Sequence, residues 1–517
     1  MRRKTKLVAT LGPSSRSVET LSLMLDAGMN VARFNMSHGT HAYHQETLDN
    51  LRAACRDRGT LCAVMLDTKG PEIRTGMLTG GVPVELRPGE TVRICTDYAT
   101  PGGRATAADG GGVRVAISYP FIARDLRPGL TVLFADGSLS LRVVGCFPDE
   151  EAFPYVLAEC LNAGSLGQHK NCNLPGVNVD LPTVTDKDVD DVQNFGVKNG
   201  VDFVAASFVR TVADVVRLRE VLGDAGRDIK IISKIEERTG MDAFQEILQA
   251  SDGCMVARGD LGMEIPSSKV FLVQKLMIHH ANIAGKPVIT ATQMLESMTR
   301  NPVPTRAEAA DVSNAVYDGS DAVMLSGETA AGPFPVQAVQ TLGRIAEEAE
   351  NSMNYIEHFA HYAQQGLQVA MSPTESLASS AVRTQQKIGA RLIVCFTRSG
   401  TTARIVSKYR PGVPILAVIV PLLQTDKVDY APRPNASPLR GFRIQGHPHP
   451  AQTLIYWGLH PVLSEGTARV NAADTTANIL EGALSYAKRM SLCNAGDTIV
   501  VLHKIGRSNV LKVTLAQ

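Results

Sequence analysis

The feature that most constrains this chain is an eightfold alternation of short β-rich runs with segments of helical period along residues 4 to 350. The expected strands are Lys4–Gly12, Asn30–Gly39, Leu61–Gly70, Val201–Val209, Asp228–Glu236, Cys254–Gly262, Lys286–Leu295 and Ser320–Glu328. Helices are expected at Val18–Ala27, His44–Arg58, Val212–Leu222, Met241–Ala250, Val270–Ala284, Arg306–Tyr317 and Pro335–Glu350. Parallel strands need a crossover between them, and eight such units close into a (βα)8 barrel of the TIM type.

Between Thr75 and Pro182 the rhythm breaks. The segment is Gly- and Pro-rich, holds Gly110-Gly111-Gly112, and carries short alternating runs such as Val113–Ile117 and Thr131–Phe134. A helix, Asp186–Val197, follows only after Pro182. The expected organisation is a barrel formed by residues 1–75 and 182–350, a β-rich lid of residues 76–181 inserted after the third strand, and a C-terminal α/β domain of residues 351–517. In that last domain, strands are expected at Arg391–Thr397, Val413–Val420, Thr498–His503 and Val510–Leu515, and helices at Ala403–Tyr409 and Thr475–Arg489. Residues 421–452 are Pro-rich with little periodicity and read as a long surface loop.

Composition narrows the function classes. A formal net charge of +1 gives no general attraction for nucleic acid or an acidic membrane, so anions must be bound by local groups. The apolar stretch after Met1-Arg2-Arg3-Lys4 is short and stops at Gly12-Pro13, unlike a signal peptide, and Val413–Leu423 is broken by prolines. Nine cysteines without a Cys-x-x-Cys pair suggest buried thiols in a reducing compartment, and a cytoplasmic protein is expected.

In a βα barrel the chemistry sits at the carboxyl ends of the strands. Those ends carry Arg33, Asn35, Ser37 and His38, then Asp67 and Thr68, then Lys234 and Glu236. Arg258, Gly259 and Asp260 follow, then Thr292, then Ser326 and Glu328. One such residue alone would be a cap or a solvated charge, but polar groups from six strands at one rim exceed what packing asks for. Glu236 and Asp260 are two hard oxygen ligands, few for Ca²⁺ and suited to Mg²⁺, which keeps waters and borrows substrate oxygens. Strand alternation puts Lys234 on the face of Glu236, a cation beside a metal-binding carboxylate. No glycine-rich nucleotide loop of the common kinds is present.

The segments Asn30-Val-Ala-Arg-Phe-Asn-Met-Ser-His-Gly39, Leu66-Asp-Thr-Lys-Gly-Pro-Glu-Ile-Arg-Thr-Gly76 and Ile232-Ser-Lys-Ile-Glu236 closely resemble motifs of pyruvate kinases. So do Met255-Val-Ala-Arg-Gly-Asp-Leu-Gly-Met-Glu-Ile-Pro266, Ala291-Thr-Gln-Met-Leu295 and Met324-Leu-Ser-Gly-Glu-Thr-Ala330, in the same order and spacing. The third domain is most similar to the plant-type cytosolic branch. The resemblance implies phosphoryl transfer from phosphoenolpyruvate to ADP with Mg²⁺ and K⁺, in a homotetramer. It implies that Lys234 lies beside the transferring group and that Glu236 and Asp260 hold Mg²⁺. The Gly259 and Asp260 amides and Thr292 would seat the substrate carboxylate. It further implies Asn35, Ser37, Asp67 and Thr68 as K⁺ ligands. Arg33, Arg74 and Lys170 would face the phosphates of substrate and nucleotide, with Asn35 and His38 alongside. Thr292 and Ser326 would relay a proton to enolpyruvate, and an acidic Glu72 goes with K⁺ dependence.

Two departures stand out. Glu237 and Thr239 replace the amide and acidic-type residues usual after the metal-binding Glu. The loop Thr397-Arg398-Ser399-Gly400-Thr401-Thr402 matches one that holds an effector phosphate in sugar-bisphosphate-activated relatives, but the segment His503–Asn509 lacks their Trp- and Arg-bearing loop. Fructose bisphosphate activation is therefore not expected. His279-His280 and the Glu347, Glu348, Glu350 group read as helix faces, and the sole Trp457 has no reading. Rival functions are another barrel enzyme acting on phosphoenolpyruvate or a 2-oxo acid, such as a metal-dependent aldolase, and a non-catalytic effector-sensing homologue. The lid lysine, the K⁺ set and the intact Lys234, Glu236, Asp260 and Thr292 disfavour both.

Overall fold

The computed structural model describes residues 3–104, 112–149, 153–365, 371–420, 422–425, 442–445, 450–464, 473–505 and 508–517. Eight parallel strands, β1 (Lys6–Thr10), β2 (Val31–Asn35), β3 (Ala63–Asp67), β4 (Phe203–Ala206), β5 (Lys230–Ile235), β6 (Gly253–Ala257), β7 (Val288–Ala291) and β8 (Ala322–Leu325), close into a barrel. Each pairs with its sequence neighbours, and β8 pairs with β1 to seal the ring. Each of the eight lies inside its expected run except β6, which starts one residue early at Gly253. Alternation divides the strand residues between two layers. Val8, Val31, Met65, Phe203, Ile232, Met255, Ile289 and Met324 fill the barrel interior. Their neighbours Leu7, Ala32, Leu66, Val204, Ile231, Val256 and Val323 pack outward against the helices.

The helices Val212–Leu222 and Arg306–Tyr317 have the expected bounds. The helix expected from His44 begins at His41, because the Thr40 hydroxyl accepts the Tyr43 amide and caps the chain earlier. The expected strand Cys254–Gly262 stops at Ala257, where the backbone turns into a helix at Arg258–Glu264. The helix expected over Asp186–Val197 is an α-turn segment, Asp186–Asp190, running into a wider π-type segment at Asp191–Val197.

Between β3 and β4 the chain forms a seven-stranded sheet and a small two-stranded one. The core of this β-rich lid holds Val92, Ile94, Val115, Tyr119, Phe134, Leu141 and Val156. Gly110 and Gly111 of the expected glycine run lie outside the described residues. In the C-terminal region a five-stranded sheet has the order Leu459–Leu463, Ile415–Ile419, Leu392–Thr397, Thr498–Ile505, Ser508–Leu515, with only the last pair antiparallel. Two helices here, Tyr355–Gln365 and Pro373–Ile388, and the strand Leu459–Leu463 were not expected.

Within residues 421–452, Leu422–Thr425 and Phe442–Gln445 pair antiparallel and Pro450 opens a short helical turn, so the expected irregular loop is corrected at those points. The intervening proline-bearing residues lie outside the described ones, as do Gly506 and Arg507 of the terminal segment. Trp457 is fully buried where the C-terminal domain meets the barrel, packed with Val316, Ala346, Ala349 and Met353. All nine cysteines are free thiols.

Candidate active site

The parity that fills the barrel also builds the site. Two residues beyond Val31, Met65 and Ile232 come Arg33, Asp67 and Lys234, and two beyond Ala205 comes Ser207. All four are buried at the carboxyl end of the barrel. Lys234 Nζ lies 3.0 Å from Asp67 Oδ1, 2.7 Å from Ser207 Oγ and 3.1 Å from Glu236 Oε1. Arg33 Nε donates to Asp67 Oδ2 at 2.6 Å, and its Nη1 donates to Thr10 Oγ1 at 2.9 Å.

Burial alone would push the Asp67 carboxyl up, but Arg33 and Lys234 outweigh it and hold the group below its usual range. For Lys234, burial favours the neutral amine; Asp67 and Glu236 overcome it and keep the ammonium charged. Lys234 is thus a fixed positive charge inside a paired cluster, not a proton donor near neutrality.

Glu236 Oε2 accepts the Phe208 amide at 2.6 Å, leaving the carboxylate beside both Lys234 and Asp260. Asp260 sits in the first turn of Arg258–Glu264. Its carboxyl is pushed up to about 7, first by burial and then by the Glu236 charge, with Lys234 only partly offsetting them. Two neighbouring carboxylates of this kind, one buried and one half-buried, repel unless a cation lies between them, and hard oxygens with room for water are a donor set that fits Mg²⁺.

Next to them, a Cβ on Gly259 would come within 2.8 Å of Thr292 Cγ2, so only glycine allows this approach. Thr292 and Gln293 are held at φ +73° and +56°, a costly conformation for a β-branched residue. Arg258 props it: its Nη2 and Nε donate to the Thr292 carbonyl at 2.7 and 3.2 Å, and Nη1 pairs with Asp311 at 2.7 Å.

Above this layer a cleft of about 380 Å³ opens between barrel and lid, lined by His38, Glu72, Arg74, Lys170, Glu236 and Asp260 among others. Barrel rim and lid therefore face one space. Arg74 is already engaged, its Nε and Nη2 on Glu72 at 2.8 and 2.7 Å and its Nη1 on the His169 carbonyl at 2.9 Å. Lys170 is exposed at the lid's edge, where its amide donates to Thr75 Oγ1. Asn35 Oδ1 accepts the Ser37 amide at 3.1 Å, and Thr68 Oγ1 accepts the Ser207 amide at 3.0 Å.

One rim position differs from expectation. Glu328 is fully buried and ties two loops together, accepting the Leu295 and Ser326 amides at 3.1 and 2.7 Å, so it faces no ligand space. Ser326 itself ends β8 and is half-buried. The loop Thr397–Thr402 stands apart, in the five-stranded sheet of the C-terminal domain.

Known proteins share this arrangement. Residues 2–339 match the family described as pyruvate kinase, barrel domain, and residues 375–514 match pyruvate kinase, alpha/beta domain. The chain belongs to the pyruvate kinase family. It is 50% identical to the cytosolic pyruvate kinase isozyme of Solanum tuberosum over 514 residues, covering 99% of this chain and 96% of that one. It is 51% identical to the Glycine max cytosolic isozyme with the same coverage. Among solved structures it is similar to a pyruvate kinase from Cryptosporidium parvum, with a TM-score of 0.85 and 40% identity over 100% of this chain and 96% of that one. The plant-cytosolic likeness of the third domain thus extends over the whole chain. Pyruvate kinases are in general metal-dependent.

Several contributing residues were not singled out from the sequence. Ser207 and Phe208, which hold Lys234 and Glu236, hide in the run Val-Ala-Ala-Ser-Phe-Val; the usable signal was that Ser207 shares the inward parity of Phe203 and Ala205. Arg258 was read only as one more rim charge, whereas it fixes the Thr292 backbone.

Proposed function

We propose that the buried cluster of Lys234, Asp67, Arg33 and Glu236 carries the phosphoryl transfer of this pyruvate kinase. Phosphoenolpyruvate gives its phosphoryl group to ADP, leaving pyruvate and ATP in the last step of glycolysis, in the cytosol. The observation that carries this reading is the Lys234 ammonium, 3.0 Å from Asp67 and 3.1 Å from Glu236, whose carboxylate lines the cleft. Phosphoryl transfer asks little covalent chemistry of a protein and much alignment and charge neutralisation. A buried lysine kept charged by two carboxylates supplies both, because it can lean toward phosphoryl oxygens without losing its anchor.

Glu236 and Asp260 would hold Mg²⁺, which when bound supplies positive charge to substrate oxygens. Asn35, Ser37, Asp67 and Thr68, oxygen donors on adjoining strand ends, would hold K⁺, with Asp67 shared between that ion, Arg33 and Lys234. The Gly259 and Asp260 amides lie in the first turn of a helix, where backbone N–H groups are free to receive the substrate carboxylate, with the Thr292 hydroxyl beside them. Arg33 would meet the substrate phosphate. Arg74, Lys170, His38 and Asn35 would receive the nucleotide as the lid closes and excludes water. Thr292 and Ser326 would pass a proton through water to the methylene carbon of enolpyruvate.

Two peripheral roles belong to the same reading. The chain assembles as a homotetramer, as its resemblance implies. The helix Thr401–Lys408 starts at a left-handed Gly400 with no side-chain cap, so its first-turn amides are open to an effector phosphate, beside the Ser399 and Thr401 hydroxyls, which bond each other at 2.9 Å. Pyruvate release from phosphoenolpyruvate and ADP, followed with and without Mg²⁺ and K⁺, tests the whole assignment. Absence of turnover with both ions present would reject it.

A further inference from the structure

The turn Ser207–Arg210, immediately after β4, touches both the Lys234–Glu236 pair and the two limbs that carry the lid. Ser207 Oγ accepts from the Lys234 ammonium at 2.7 Å, and the Phe208 amide donates to Glu236 Oε2 at 2.6 Å. Phe208 is held at φ +55°, and its carbonyl accepts the Thr183 hydroxyl at 3.4 Å. Gly70, on the limb leading out to the lid, packs so closely here that a Cβ would lie 2.8 Å from the Phe208 ring.

Arg210 closes the set. Its Nη1 donates to the carbonyls of Val179 and Leu181, on the limb returning from the lid, at 2.7 and 3.1 Å. Its Nε lies 2.9 Å from Glu237 Oε2, on the residue that follows the metal ligand Glu236. The arginine is 8% exposed, and its own amide is pinned to Asp214 Oδ2 at 3.0 Å in the capping box of Val212–Leu222. It is therefore a rigid post anchored to the barrel, not a loose surface cation.

Beside it lies a cavity of about 560 Å³ between lid and barrel, lined by Arg124, Asp125, Asp180, Arg210 and Asp214 among others. That space leaves the returning limb room to swing, while the two carbonyls held by Arg210 fix where it pivots. One nitrogen of the guanidinium thus bonds both carbonyls while another lies in ion-pair contact with Glu237, which a delocalised charge allows at once.

We propose that Arg210 is a positioning residue that links the lid to the metal site. Through Glu237 it senses how the Glu236 strand end is set, and through Val179 and Leu181 it sets the pivot of the lid limb. Cation binding at Glu236 and Asp260 therefore stiffens the limb before any nucleotide arrives. With a glutamate at position 237 this link is an ion pair between charged groups. The inference rests on the metal role proposed above for Glu236 and Asp260, but its test does not depend on turnover.

Hydrogen–deuterium exchange of peptides spanning residues 174–184 in the full-length protein, with and without saturating Mg²⁺ and no nucleotide, reads the link directly. The native chain should show slower limb exchange with Mg²⁺, by at least threefold. Arg210→Gln should exchange faster in both conditions and lose the Mg²⁺ effect, while peptides covering residues 230–236 stay protected. A purely structural role would raise limb exchange yet leave the Mg²⁺ effect in place, and that result would overturn the proposal. So would a native limb that ignores Mg²⁺. If Arg210→Gln does not fold, Glu237→Gln breaks the same pair from the other side and should weaken the Mg²⁺ effect. Loss of pyruvate production by the native chain, with the exchange response intact, would instead count against the catalytic reading alone.

Discussion

The two mouths of the barrel both bury charge, and they differ in what covers it. At the carboxyl end, Arg33, Asp67, Lys234 and Glu236 pair with one another, and Glu236 lines a cleft. At the amino end, Lys6 donates to the Leu459 carbonyl at 2.6 Å, and the Glu350 carboxylate accepts the Lys4 and Thr5 amides. Arg410 grips Asp321 at 2.7 and 2.9 Å and stacks over Trp457, 5.2 Å from the ring centroid. The C-terminal domain lies across this mouth, with Gly458 and Trp457 bonded to Lys4 and Asp321. Buried charge by itself therefore does not mark a reaction site. An open face next to incompletely neutralised charge does, and the carboxyl end has one, lined by Glu236 and Asp260.

Substitutions at the two mouths should separate accordingly. The largest effect is expected for Lys234→Met, which removes a preorganised charge from the proposed transition state: kcat should fall at least about 10² to 10³-fold, with a much smaller change in KM for phosphoenolpyruvate. Steady-state kinetics giving near-native kcat would erase the distinction between the mouths.

At the closed mouth, Arg410→Met leaves Asp321 buried without its partner. It should cost about 3–5 kcal/mol in a urea titration, while activity per folded molecule stays near native. Lost turnover with unchanged stability would contradict this.

Lys6 sharpens the same point through pH. Burial, followed by the charge of Arg3, lowers its ammonium to about 7, whereas the unfolded lysine titrates near its ordinary value. Between those two values the unfolded chain binds the extra proton, so this group makes stability rise with pH, by up to about 1.4 kcal/mol per pH unit. Urea midpoints at pH 7 and pH 9 should therefore diverge less in Lys6→Met than in the native chain.

The smallest effect is expected at Glu72. Substituting lysine places an ammonium where K⁺ supports the site, and it also releases Arg74 from its ion pair. Activation by K⁺ should shrink several-fold in Glu72→Lys; an unchanged K⁺ response would remove Glu72 from the account.

Much of this was legible because the barrel strands are continuous apolar runs whose parity assigns each residue a layer. Lys234 and Glu236 could be placed on one face by counting, and their 3.1 Å contact follows from it. What counting missed was held by local exceptions. The strand Leu459–Leu463 contains Pro461, which argues against a strand until the sheet order shows it at an edge, where a missing N–H costs little. The helix Pro373–Ile388 had its signals in plain view: Ser372 caps the Glu375 amide and proline opens the first turn. The lid's strands alternate over only a few residues each, and their order, which sets Val113–Ala116 beside Thr91–Cys95 in parallel, depends on long-range pairing.

The strict inward–outward alternation of the barrel strands has a consequence for how such a chain can change. Adding or losing one residue inside β5 would swing Lys234 out among the helices and bring Ser233 or Ile235 into its place. Beyond the strand tips no such frame has to be kept. A whole β-rich domain can grow between Asp67 and Phe203 without disturbing either partner of the lysine, and evolutionary length variation in this protein should gather at those tips while the staves keep their count.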